Sequence, residues 1–389
     1  MHDFTQDLDE LAANSLRRTR RVVTGAQGPV LEADGKPTLS FCSNDYLGLA
    51  NHPEIIAACV AAADEYGVGA AASALISGHS MAHQKLEHEL AAFTRQPRAL
   101  YFSCGYMANI GIIGALVGAG DAVFLDRLSH ASLVDGARLS GARLRVFPHN
   151  DIARLEQVLA RSESRRKLVV TDAVFSMDGD LSPLAELAAL CGRYDAWLLV
   201  DDAHGFGVLG PQGRGSLAHA GVSAPHVICM GTLGKAAGVA GAFVAGDATL
   251  IEWIMQRART YMFSTPNPPM LAAAASASLA IIARDDWRRE RLQELAAQIR
   301  QGLAALPWQL LPSTTAIQPL IVGDNAPARA LAQHLRAQSI WVPAICPPTV
   351  PRATARLRIS LSAHHTHEHV AQLITALHQA ADQASGARS

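Results

Sequence analysis

From about residue 50 the chain alternates between two hydrophobic periods. Segments such as IIAACVAAADEYG and HQKLEHELAAF repeat apolar residues every three or four positions, the period of an amphipathic helix. Between such segments lie short apolar runs closed by turn residues: ALYFSCG, DAVFLD, RLRVFPH, KLVVTDAVFSMDGD, AWLLVDDAHG, HVICMGTLGK and GAFVAG. Short continuous apolar runs separated by helices read as strands buried on both faces, and so predict an α/β fold with a mainly parallel sheet flanked by helices. Such sheets bind ligands beyond the carboxyl ends of their strands. The polar residues that close these runs are therefore where chemistry is expected.

The ends of the chain follow other patterns. Residues 6–21 read as a short helix ending in the basic cluster LRRTRR, and the Gly/Pro-punctuated stretch to residue 45 reads as a surface wrap. After Pro266–Pro269 come an alanine-rich helix and a charged one, DDWRRERLQELAAQIRQGLAAL, then strands near AIQPLIVG, IWVPAI and ARLRISL. The pattern divides the chain into an N-terminal segment (1–45), a large domain (46–275) and a smaller C-terminal α/β domain (276–389). The histidines of SAHHTHEH (362–369) have metal-chelating spacings, His365 with His369 and His364 with His367. They open the last predicted helix with no acid cluster opposite, and read as solvated surface.

Composition narrows the functional classes. With 49% hydrophobic and 17% charged residues, the 389-residue chain has material for a large core, which excludes disorder as its overall state. Lys+Arg 33 against Asp+Glu 34 leaves a net charge of −1, giving no basis for nucleic-acid binding and favouring a small-molecule site. The cysteines Cys42, Cys59, Cys104, Cys191, Cys229 and Cys346 form no Cys-x-x-Cys pair and read as reduced thiols. MHDFTQDLDELAANSL has no apolar leader core, and Leu271–Ala283 is too short to span a bilayer. A soluble cytoplasmic protein is expected, with no membrane partner and no metal.

Four segments carry candidate chemistry. In GTLGKAAGVAGAFV (231–244), Lys235 follows a strand and sits among small residues; desolvation there lowers a lysine pKa and frees its amine as a nucleophile. An exposed loop lysine fits that segment alone equally well. WLLVDDAHGFGVLG (197–210) ends a buried strand in Asp201, Asp202 and His204, and a buried carboxylate needs a cation or donors. YFSCGYMANIG (101–111) turns from strand to helix, where free N–H groups suit a phosphate, although an ordinary turn would look the same. In DRLSHASLVDG (126–136), His130 sits in a polar turn, where a capping role is the plain alternative. A nucleophilic lysine, an acid for a ring nitrogen, a phosphate-binding helix start and a stacking histidine are together what pyridoxal 5′-phosphate requires.

Through FCSNDYLGL, SCGYMAN, DRLSHASL, VFSMDGD, VDDAHGFGVLG, GTLGK, AIQPLIVGDN and PPTVP-x-x-TARLR, from about residue 38 almost to the C-terminus, the sequence resembles the α-oxoamine synthases, which are fold-type I pyridoxal-phosphate-dependent transferases. DDAHG and AIQPLIVGDN resemble the branch that serves biotin biosynthesis. That resemblance implies decarboxylative condensation of L-alanine with a pimeloyl thioester, carried by acyl carrier protein or coenzyme A, to give 8-amino-7-oxononanoate. It also implies a homodimer. A glycine C-acetyltransferase and a non-catalytic regulatory subunit of the same fold are the alternatives.

The resemblance further implies roles by position. Lys235 would hold the cofactor and move the substrate proton, Asp201 would face the pyridine nitrogen, and His130 would stack on the ring. His204 and Ser176 would face the phenolic oxygen. Gly105 and Tyr106 (backbone) and Thr232 (hydroxyl) would meet the phosphate. Arg358 and Asn44 would orient the amino-acid carboxylate, and Thr349 with an arginine of LRRTRR would contact the acyl substrate. Arg18 is preferred to Arg17 and Arg20, and a solvated helix end explains these arginines as well. Ala173, Ala236-Ala237 and Ala353 depart from the family pattern by single methyl groups and remove no catalytic function.

Overall fold

The computed structural model describes residues 3–13, 17 and 19–386. The seven apolar runs become one seven-stranded sheet, in the order Arg98–Phe102, Ala242–Gly246, Val227–Thr232, Trp197–Asp201, Lys167–Asp172, Ala122–Asp126, Arg143–Phe147. Ala242–Gly246 is antiparallel to both of its neighbours, and the other six strands run in one direction. The reversal has a local cause: the return 233–241 is too short for the crossover that a parallel neighbour needs.

Burial on both faces follows from the strand period of two. Along Lys167–Asp172, Leu168 and Val170 enter a core with Ile112 and Leu133, whereas Val169 enters another with Leu155 and Leu187. Helices cover each face. Pro53–Tyr66 starts with proline in its first turn and ends at Gly67, and Met81–Thr94 opens with a capping box between Ser80 and His83.

A four-stranded antiparallel sheet (Gln309–Leu310, Ile317–Gly323, Ala355–Ser360, Ala344–Ile345) and the helices Asn325–Ala337 and His367–Gly386 make up the smaller α/β layer. A third core joins it to the rest: Phe41, Tyr46, Leu47 and Leu49 pack with Ile282, Leu295, Leu357 and Ile359.

Four expectations need correction. The first helix is Thr5–Ala13, so Arg17 and Thr19–Arg21 are not helical; Arg18 lies outside the described residues. The stretch before residue 45 is a surface wrap only in part: residues 21–30 are mostly exposed, but Val30–Ala33 and Lys36–Ser40 pair, and Lys36–Ser40 adds Ile340–Trp341 in parallel. IWVPAI is two strands in two sheets, because Pro343 between them has no N–H to continue a ladder. His365 is buried rather than solvated. It stacks on Phe41 at 4.4 Å, and its ring nitrogens bond Ser362 N (2.9 Å) and Ser40 O (2.8 Å), fastening the end of one sheet to the other.

Candidate active site

The carboxyl ends of three neighbouring strands meet at one edge, with Asp172 in register with Asp201 and Asp201 with Met230. Asp201 is 4% exposed, and its oxygens accept from Asn109 Nδ2 (2.7 Å) and Ala203 N (2.9 Å). Both donors are neutral. A buried carboxylate held only by amide N–H groups has its charge still to be matched by a cationic donor. Burial, and then the adjacent Asp201 charge, push the Asp172 carboxyl well above its usual range.

Lys235 rises from the loop after Val227–Thr232. Gly238 closes that loop at φ 68°, and a Cβ there would strike Ala50 N at 2.4 Å. Only glycine lets the lysine loop lie against the 44–50 segment. Burial draws the amine down to about 8 against the opposing pull of Asp201 and Asp172. Its Nζ is 2.9 Å from His204 Nε2, and His204 Nδ1 is 2.6 Å from the Tyr46 hydroxyl. His204 is buried, and burial followed by the Lys235 and Arg358 charges holds its imidazole neutral. The other three lysines, Lys36, Lys85 and Lys167, lie elsewhere: the first two are exposed, and Lys167 bonds Tyr194 O.

Arg358 reaches the same edge from the smaller sheet. Buried, it donates to Ser176 O (2.5 Å), Asn44 Oδ1 (3.2 Å), Ser360 Oγ (2.7 Å) and Tyr46 Oη (3.4 Å). Lys235, His204, Tyr46, Arg358, Asn44 and Ser176 therefore form one connected cluster. His130 caps the helix Ala131–Leu139, and its backbone N donates to Asp172 (2.9 Å).

Gly105 starts the helix Gly105–Leu116, whose cap residue Cys104 makes no side-chain cap bond. A Cβ on Gly105 would stand 4.0 Å from Thr232 Oγ1, so the helix start and Thr232 border the same space. Uncapped N–H groups beside a hydroxyl form an anion cradle. The Tyr106 side chain is exposed and donates to Asp135. Thr349 is also exposed, in the turn closed by its N–H to Cys346 O, and joins no other site residue. Among the described residues no group of His, Cys, Asp and Glu is arranged to hold a metal.

The donor set thus fits pyridoxal 5′-phosphate: Lys235 for an aldehyde, Asp201 for the ring nitrogen, and Gly105, Tyr106 and Thr232 for the phosphate. Sequence reasoning assigned no role to Asn109, Ser132, Tyr46 or Asp172. Asn109 and Tyr46 stand inside SCGYMAN and FCSNDYLGL; the amide of Asn109 among apolar neighbours was an available signal, whereas Tyr46 follows Ser43, Asn44 and Asp45 and nothing sets it apart.

Residues 36–377 match the aminotransferase class I and II family. The 8-amino-7-oxononanoate synthase of Aromatoleum aromaticum is 58% identical over 373 residues, covering 96% of this chain and 97% of that protein. That of Nitrosospira multiformis is 59% identical over 365 residues, covering 94% and 92%. Among solved structures, Sphingomonas wittichii serine palmitoyltransferase superposes with a TM-score of 0.93 at 34% identity, covering 99% of this chain and 98% of that one. The Francisella tularensis 8-amino-7-oxononanoate synthase gives 0.78 at 31%, covering 90% and 99%. The fold is common to both activities and does not choose between them; the much higher sequence identity does. The chain belongs to the aminotransferase class I and II family and, within it, to the 8-amino-7-oxononanoate synthases.

Proposed function

We infer that the chain is a pyridoxal 5′-phosphate-dependent acyltransferase with 8-amino-7-oxononanoate synthase activity in biotin biosynthesis. It condenses L-alanine with a pimeloyl thioester: a C–C bond forms at the alanine α-carbon, the C–S bond breaks, and the alanine carboxylate leaves as carbon dioxide. The observation that carries this reading is the Lys235 amine, drawn down to about 8 and set 2.9 Å from a neutral His204 beside the buried Asp201.

When bound, the cofactor supplies an aldehyde that takes an amine and a ring that accepts electron density from the substrate. The protein does the rest. Asp201 holds the ring-nitrogen proton by charge, and Asn109 and Ala203 aim its oxygens. Lys235, half of it neutral at about pH 8, takes the alanine α-proton and can return one to the product. Tyr46 and Asn44 hold the planar Arg358 guanidinium in place for the alanine carboxylate. Burial of this cluster excludes water that would hydrolyse the thioester.

Several finer assignments belong to the same proposal. The acyl donor is pimeloyl-acyl carrier protein, with an arginine of LRRTRR and Thr349 at the acyl entrance; the acidic, phosphorylated carrier favours a basic neighbour. Residues 46–275 and 276–389 act as a large and a small domain after the segment 1–45, with Arg358 crossing between them. Two chains form a homodimer, which would cover exposed apolar side chains such as Val68, Ile76 and Phe263. The protein works in the cytoplasm, where its six unpaired cysteines stay reduced.

The test is turnover by purified holoenzyme of L-alanine with pimeloyl-acyl carrier protein and, in parallel, with pimeloyl-coenzyme A, with the product identified by mass. Formation of 8-amino-7-oxononanoate, faster from the carrier protein, supports the reading. Product from glycine and acetyl-coenzyme A alone overturns it.

A further inference from the structure

The strand end that holds Asp201 is tied to His130 through the side chains of Asn109 and Ser132. Asn109 Nδ2 lies 2.7 Å from Asp201 Oδ2 and 2.8 Å from Ser132 Oγ, and Ser132 Oγ lies 2.8 Å from His130 Nδ1. The Ser132 backbone N also points to Nδ1, at 3.3 Å. Asn109 and Ser132 are each 1% exposed, so water does not share these bonds.

The donor inventory gives the chain a direction. A carboxylate only accepts, so Asn109 must turn its NH2 toward Asp201; its Oδ1 is left buried without a partner, a cost the opposite orientation would exceed by facing oxygen to oxygen. The second amide hydrogen goes to Ser132 Oγ. The single hydroxyl hydrogen of Ser132 is then free for His130, and Nδ1 receives two donors. A nitrogen that accepts twice carries no proton. The ring proton of neutral His130 stands on Nε2, which has no protein partner among the described residues.

We propose that Asn109 and Ser132 are positioning residues that lock His130 in the Nε2–H tautomer and couple it to the Asp201 carboxylate, so that His130 offers the substrate oxygens a donor while Asp201 stays aimed at the ring nitrogen. The charges around His130 are balanced: Asp201 and Asp135 favour its protonation, Lys235 opposes it, and Asp172 holds its backbone N–H. Burial outweighs these and keeps the imidazole below its ordinary value. The Ser132 donors, which bond only the neutral form, act in the same direction.

The inference rests on the expected stacking of His130 on the cofactor ring, beside the substrate, but its direct test does not require turnover. In holoenzyme labelled with 15N in the histidine rings, the signals lost in His130→Asn identify His130. At pH 7.5 a neutral ring protonated on Nε2 supports the proposal; a proton on Nδ1, or an imidazolium, overturns it. Titration gives an independent arm. Removing the hydroxyl in Ser132→Ala strips a donor from the neutral form, so the midpoint of the His130 15N shift moves up by about one pH unit. An unmoved midpoint overturns the lock. Turnover, as kcat/KM, gives a further arm. Coupling is read in a double-mutant cycle with Asn109→Ala, in which the double variant loses less than the product of the single losses by about threefold or more. Strict multiplication of the two losses overturns the coupling. Absence of synthase activity together with the Nε2–H signal would overturn the functional reading and leave the tautomer standing.

Discussion

Lys235 Nζ and His204 Nε2 are 2.9 Å apart, and the far side of the same imidazole is closed by Tyr46 at 2.6 Å. The lysine loop, the DDAHG loop and the FCSNDYLGL segment thus converge on one ring. His204 stays neutral there because burial and the Lys235 charge oppose a second cation.

The amine titrates near 8, so capture of the aldehyde cofactor by apoenzyme should accelerate with rising pH and reach half its limiting rate near pH 8. Stopped-flow absorbance reads this directly. In Asp201→Asn the midpoint should fall, because the Asp201 carboxylate is among the charges that raise Lys235 against burial.

Arg358 donates to four groups around the site, two of them in the segment Asn44–Tyr46. Lysine keeps the charge but loses the planar fork. Arg358→Lys should raise the KM for L-alanine by about ten- to a hundredfold and change kcat less, as judged by initial rates at saturating thioester. An unchanged KM would remove Arg358 from the carboxylate site.

His149 bridges Asp126 (3.1 Å) and Asp180 (2.7 Å), tying a strand end to the loop that bears Ser176. Burial works against its charge, but bonds to the two carboxylates outweigh it and push the imidazole up to about 10. Its folded value exceeds its unfolded one of 6.5, so its contribution is whole below pH 6.5, declines above that, and is gone beyond about pH 10. The Tm difference between wild type and His149→Gln should be largest at pH 6 and shrink steadily toward pH 10. A difference that grows with pH would contradict the bridge.

Ala353 stands at φ 59°, in the left-handed region that favours glycine. The methyl group costs about 1 kcal/mol there, partly offset by the smaller unfolded-state entropy of alanine. Ala353→Gly should therefore stabilise the protein by about 0.5 kcal/mol in urea titration, with turnover unchanged.

Six of the seven central strands were legible as short apolar runs closed by polar or turn residues, as in Trp197–Asp201. The edge strand Arg143–Phe147 instead alternates arginine with apolar residues and is mostly exposed rather than buried on both faces. The antiparallel direction of Ala242–Gly246 was not legible, since periodicity carries no direction. His365 was misread for a related reason: in a run of histidines nothing marks the one that stacks on Phe41. Lys235, Asp201 and His204 were readable from strand-end position and family motif together. Asn109, Ser132 and Tyr46 act through partners far away in sequence, up to 158 residues for Tyr46 and His204, and acquire their roles only when the strand ends come together.

The central claim is that one amine among the four lysines of the chain carries the cofactor. Borohydride reduction of the holoenzyme followed by peptide mass mapping tests it most directly. A reduced pyridoxyl phosphate adduct on the peptide containing Lys235 alone, absent in Lys235→Ala, is the predicted result. An adduct on Lys36, Lys85 or Lys167 instead, or synthase turnover retained by Lys235→Ala, would contradict the account.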